Sequence, residues 1–159
     1  MAIAQFKIAT DANILIVPYK GAAPAITDTI GGQVDGFFGD VSGLVQHIKN
    51  GGVVPIGLAA AKRSAALPDV PTMDELGIKN VHAINWYGIF APRGTPKDKI
   101  ESLNAAMRTA LESEAAQNYV RVSGLDASPT SPEEFGQMIE EDTAKWATLI
   151  KAENITVYE

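Results

Sequence analysis

The stretch VPYKGAAPAITDTIGGQVDGFFGD, from Val17 to Asp40, decides how this chain is to be read. It contains the end of one strand, a polar loop at Tyr19-Lys20-Gly21, a helix, a glycine stop at Gly31-Gly32, and a second strand from Val34 to Phe38. Pro24 suits the first turn of a helix, where its missing N–H costs nothing, and Ile26 and Ile30 lie one turn apart on one face. Both strands end in polar turns. In α/β proteins ligands meet the chain outside the carboxyl ends of strands, so Tyr19, Lys20, Gly21, Gly39 and Asp40 fall where a binding crevice is built.

Upstream of this stretch, Ile3, Phe6 and Lys7 give a helical pattern already under way at the first residues, without a cap or a signal peptide, which favours removal of something upstream. Ile14 to Val17 is an apolar run bounded by Asn13 and Pro18, the mark of a buried strand. Downstream, Asp40 stands at the N-cap position of a helix whose apolar positions are Val41, Leu44, Val45 and Ile48, and Asn50-Gly51-Gly52 stops it. Val53 to Ala60 reads as a strand, followed by a loop from Lys62-Arg63-Ser64 through Pro68-Asp69-Val70-Pro71. Thr72 and Glu75 make a capping box for one short helical turn ended by Gly77. Val81 to Ala91 reads as one extended strand with Trp86, Tyr87 and Gly88 in its middle.

The rest is helical. Thr95-Pro96 starts a helix with Ile100, Leu103, Met107 and Leu111 on one face, and Ser113 caps another that ends at Gly124. Ser131-Pro132-Glu133-Glu134 starts a third, striped by Phe135, Met138, Ile139, Trp146, Leu149 and Ile150. Strands and helices alternate in the first half but not in the second. That shift predicts an α/β chain of two parts, with a boundary near Asn85.

Composition narrows the function. The chain has 159 residues, 46% of them hydrophobic, and a net charge of −6, which argues against a nucleic-acid or anionic-membrane surface. It has no cysteine, so disulfides, thiolate metal sites and cysteine nucleophiles are excluded. No apolar run reaches the roughly 18 residues that a membrane span needs. Nucleophile-elbow, phosphate-loop, zinc-protease and dinucleotide motifs are all missing. The two histidines, His47 and His82, read as surface or partly buried residues rather than a metal or acid/base pair. The pattern gives no catalytic residue, no metal ligand and no cofactor.

Each candidate binding residue has a plainer reading beside it. Lys20 offers an ammonium to a carboxylate, helped by free N–H groups at the next helix start, or is a solvated loop lysine. Tyr19 presents its hydroxyl to a ligand or roofs the core. Asp40 contacts a ligand or simply caps its helix. Trp86 and Tyr87 line a cleft or belong to the core. A small enzyme using Lys20 and Asp40 as an acid/base pair is the rival from another class.

Val-Pro-Tyr-Lys-Gly at Val17 to Gly21, followed by Gly-Gly-Gln-Val-Asp at Gly31 to Asp35, resembles the periplasmic solute-binding receptors of the tripartite tricarboxylate transporter family, the Bug proteins. Further landmarks follow in order: His47 to Gly51, Ala61 to Ser64, Leu67 to Thr72, Trp86-Tyr87-Gly88 with Ala91-Pro92, Gly94 to Pro96, and Ser131 to Phe135. The resemblance implies a two-lobed periplasmic-binding-protein fold, with a mixed sheet flanked by helices, that closes on a small carboxylated solute and delivers it to a membrane permease. It implies that this chain matches the carboxyl-terminal half of such a receptor. Residues 1–84 would then form an α/β ligand-binding lobe, and residues 85–159 the inter-lobe strand and the helical part of an incomplete second lobe. The family's glycine-rich loop of the first lobe and the helix start before this chain's first helix have no counterpart here. One copy then leaves apolar helix faces uncovered, and a paired or swapped homo-oligomer is the expected remedy, with a self-associating structural domain as a third reading.

Overall fold

The structure is a computed structural model that describes residues 1–152; residues 153–159, the end of the second expected region, lie outside the described residues. The described chain forms α1 (Ala2–Thr10), α2 (Ala22–Ile30), α3 (Val41–Lys49), α4 (Lys97–Leu111), α5 (Glu114–Ser123) and α6 (Pro132–Ala152).

These helices begin and end on local chemistry. Ser131 Oγ accepts from the Glu134 N–H at 3.1 Å and Glu134 returns a carboxylate to the Ser131 N–H at 2.7 Å, which makes the start of α6 a capping box. Ser113 heads α5, its hydroxyl accepting from the Ala116 N–H at 3.3 Å. At the end of α3 the N–H of Gly52 returns to the His47 carbonyl at 2.8 Å and that of Gly51 to Ile48 at 3.0 Å. The Thr72–Glu75 box also forms, with bonds of 2.7 and 3.2 Å, but it holds a hydrogen-bonded turn rather than a helix. Glu75 is also tied to Arg63, whose Nε donates to both carboxylate oxygens at 3.1 and 2.9 Å, so one side chain fixes two ends of the loop.

The expected strands at 14–17, 34–38, 53–60 and 81–91 do not pair into a sheet among the described residues. The nearest approach to a ladder is the parallel bridge of Leu58 with Thr72, where Leu58 N–H donates to Pro71 and Met73 N–H donates to Leu58, with Ala83 N–H reaching Ala59 at 3.0 Å. The reason is physical. A strand satisfies its N–H and C=O groups only on a neighbour, and beyond these few bonds the segments find none among the described residues. Several of their apolar side chains stay open: Leu15 is 87% exposed, Val54 85% and Ile56 79%.

Two compact units emerge. The first comprises Met1–Asn85 and Arg121–Leu125, the second Trp86–Val120 and the chain from Asp126 onward. The return of Arg121–Leu125 to the first unit is not anticipated by the sequence. Buried hydrophobic side chains, among the described residues, all lie in the first unit: Ala4, Ala25, Ile26, Val45, Leu67, Val70, Met73 and Val81. Val45, Leu67 and Val70 form its centre, with Val41, Ile48, Leu58 and Ala66 packed against them. Burial of such side chains supplies about 1.5–3 kcal/mol each.

In the second unit, α4 and α6 are neighbours, and Asn104 Nδ2 of α4 donates to the carbonyl of Thr130, just before α6, at 2.9 Å. The α6 stripe is only half-buried there: Phe135, Met138, Ile139 and Trp146 are of intermediate exposure.

Gly124 shows how closely the returning segment fits. Its φ is +69°, and a Cβ there would stand 2.7 Å from Val41 Cγ1 and 3.1 Å from Ala66 Cβ. Gly124→Ala therefore combines left-handed strain with a clash, and a loss of about 1–3 kcal/mol is expected in chemical denaturation of the purified chain. An unchanged midpoint would contradict this packing.

Candidate functional site

Tyr19, Lys20 and Gly21 lead directly into α2. Gly21 is its N-cap residue, with φ 110° and ψ 173°, a conformation that favours glycine, and no side chain caps the helix. The first N–H groups of α2 are therefore left for an external acceptor. Lys20 is exposed and makes no ion pair among the described residues. Tyr19 is half-buried, and its hydroxyl donates to Asp28 Oδ2 on α2 at 2.7 Å. Accepting that bond, the Asp28 carboxylate holds the phenol above its ordinary value of 10.0, with burial and the Asp28 charge acting the same way. The loop is thus pinned by Tyr19 while Lys20 stays free.

Gly39 and Asp40 lead into α3 in the same way. The Asp40 carbonyl accepts from the N–H groups of Gly43 and Leu44, both at 3.1 Å, as an N-cap residue should. Its side chain makes no capping bond. Instead Asn85 Nδ2 donates to Oδ1 at 2.9 Å and to Oδ2 at 3.0 Å. The capping reading of Asp40 is therefore right for its backbone and not for its carboxylate. A carbon at Gly39 would collide with the ring of Phe37, so this glycine is what lets that ring lie over the chain. Phe37 is a residue the sequence reading does not single out. The signal for it is an aromatic side chain two residues before a glycine, a spacing that shares one face of an extended segment. The next ring, Phe38, packs against Phe6 of α1 with centroids 5.6 Å apart.

Trp86 and Tyr87 belong to the second unit. The Trp86 indole N–H donates to Asp142 Oδ2 at 2.8 Å, and its ring meets Phe135 edge-on at 5.2 Å. Phe135 also packs on Phe90 at 5.4 Å and covers Gly88. Tyr87 is 75% exposed. The seven sequence candidates thus divide, with Tyr19, Lys20, Gly21, Gly39 and Asp40 in one unit and Trp86 and Tyr87 in the other.

His47 sits in the last turn of α3, while His82 Nε2 lies 2.7 Å from Asp74 Oδ2. No group of three metal-ligating side chains occurs among the described residues. No helix among them is long and apolar enough to cross a membrane.

Comparison with known proteins decides the family. The model of the tripartite tricarboxylate transporter family receptor matches residues 1–155. The chain belongs to this receptor family. Among its relatives are BugT of Bordetella pertussis, 31% identical over 92% of this chain and 45% of BugT, and a protein from the tcbD-tcbE intergenic region of Pseudomonas sp. strain P51, 32% identical over 93% and 45%. The chain spans less than half the length of both relatives. A solved structure described as a periplasmic transporter matches with TM-score 0.86 and 33% identity, over 98% of this chain and 52% of that one. R. palustris Rpa4515 with adipate matches at TM-score 0.84, 29% identical over 94% and 50%, and MatC of Rhodopseudomonas palustris with bound malate at 0.77, 28% identical over 94% and 52%. The matched family is one of transporter receptors rather than enzymes, so Lys20 and Asp40 are not read as an acid/base pair.

The tie between Tyr19 and Asp28 has a measurable sign. A phenol held high in the fold adds stability that is present below its unfolded value near 10.0 and is lost as pH rises through the folded value. The difference in phenolate absorbance between the unsubstituted chain and Tyr19→Phe isolates the Tyr19 titration, which should lie above 10.0, and Asp28→Asn should move it down. A Tyr19 titration unmoved by Asp28→Asn would refute the tie.

Proposed function

We propose that this chain forms part of an extracytoplasmic receptor that captures a small carboxylated solute for a tripartite tricarboxylate-type secondary transporter and acts in the periplasm. The observation that carries the reading is the loop Tyr19-Lys20-Gly21: an ammonium without an ion pair among the described residues beside a helix start without a side-chain cap. Both favour an anion. A carboxylate there accepts from Lys20 Nζ and the first N–H groups of α2, and charge-assisted bonds of this type are short and strong. Gly39 and Asp40 stand at the second loop-to-helix turn of the same unit and are the next candidates, with the Asp40 carboxylate already held by Asn85. Adipate and malate, bound to two structural neighbours, support the solute class and supply the probes. The partner of the loaded receptor is the transporter's membrane permease.

In this reading the segments at 14–17, 34–38, 53–60 and 81–91 belong to a mixed sheet whose remaining strands come from another polypeptide stretch. The open side chains Leu15, Val54 and Ile56, with Ile89 and Phe90 at 72% and 67% exposure, favour a chain that does not stay single. A second copy, paired or swapped, is the simplest cover. Light scattering of the purified chain should then give a mass above one protomer, and a stable monomer would overturn this part.

Solute binding is tested separately, by titration calorimetry with adipate and malate on this chain and on the chain completed with the upstream half of BugT. Binding to the completed protein is expected, without chemical change of the acid. Lys20→Ala should weaken it by about 10- to 100-fold, the loss of one charge-assisted hydrogen bond. Carboxylate binding unaffected by Lys20→Ala, or no binding of either acid, would overturn the assignment.

A further inference from the structure

Asn85 and Trp86 are consecutive, yet one closes the first unit and the other opens the second. Around them, residues 81–92 carry neither helix nor ladder, and the backbone is tied at Ala83, whose N–H reaches the Ala59 carbonyl at 3.0 Å. Beyond that bond, side chains hold the passage at Asn85 and Trp86. Asn85 gives one amide N–H group to both oxygens of Asp40, at 2.9 and 3.0 Å. Trp86 gives its single indole N–H to Asp142 at 2.8 Å and sets its ring edge-on to Phe135, 5.2 Å between centroids. Both acceptors are carboxylates held on helical elements, Asp40 at the head of α3 and Asp142 within α6.

We propose that Asp40 and Asp142 are positioning residues that pin this passage from its two sides, so that the grip of the first unit ends at Asn85 and that of the second begins at Trp86. Each pin is a neutral N–H donating to a carboxylate oxygen. Each closes entirely within its own unit. The indole has no second donor to share, and Phe135, which Trp86 meets edge-on, also covers Gly88, extending the second pin two residues along the chain. Local opening on one side of the Asn85–Trp86 linkage therefore leaves the other side of this passage closed. The inference goes beyond the receptor reading and does not depend on any solute.

Residue-resolved amide exchange of the whole chain, without ligand, tests it. Asn85→Ala should speed exchange at residues 83–85 about tenfold and leave 86–90 unchanged, whereas Asp142→Ala should do the reverse. Asp142→Asn, which keeps an acceptor oxygen, should restore protection. Should Asp142→Ala loosen α6 itself, Trp86→Phe, which keeps a six-membered aromatic ring but removes the indole N–H with the five-membered ring, must still speed residues 86–90 alone. Equal acceleration on both sides of the linkage in any of these variants, or none on either side, would overturn the proposal.

Discussion

A helix closes its own hydrogen bonds within four residues, whereas an extended segment must find them on a neighbour. Most of what this chain does follows from that difference. Its helical sequences form helices. Its strand-like sequences, at 14–17, 34–38, 53–60 and 81–91, stay unladdered among the described residues, and many of their apolar side chains, Leu15, Val54 and Ile56 among them, remain in solvent. Where a segment does find a partner, as Leu58 does between Pro71 and Met73, the surrounding residues are among the most buried in the chain, with Met73 4% and Thr72 3% exposed. Pairing and burial arrive together because each brings the groups the other needs.

The same rule explains which features can be read from the sequence. Bonds that close over three or four residues leave a local signature: Ser131 with Glu134, Thr72 with Glu75, and Ser113 with Ala116 are all legible as spacing. The strand-like runs are legible too, because side-chain preference is local even where the ladder is not. Bonds that close over long stretches leave none. Asp40 reads as a cap because it precedes an apolar helix, and nothing nearby reveals that its carboxylate answers to Asn85, 45 residues on. Trp86 reads as a cleft or core aromatic, while its partner Asp142 lies 56 residues away. The return of Arg121–Leu125 to the first unit depends on Gly124 fitting against Val41 and Ala66, a steric fact that appears only when the segments are placed together.

At the candidate site, the charges are sorted by what already holds them. Of the groups around the two loop-to-helix turns, Asp28 is occupied by Tyr19 and Asp40 by Asn85, while Lys20 makes no ion pair among the described residues. The chain as a whole carries −6, so a free anion approaching from a distance is repelled rather than drawn in. That repulsion is screened beyond about 8 Å at physiological ionic strength, and inside this range the near groups decide. The near groups are an ammonium, a glycine at φ 110° and a helix start without a side-chain cap. On the proposed reading, an acidic chain with a small positive feature suits reversible capture, because the local attraction would hold a carboxylate only at contact and the overall charge would favour its departure.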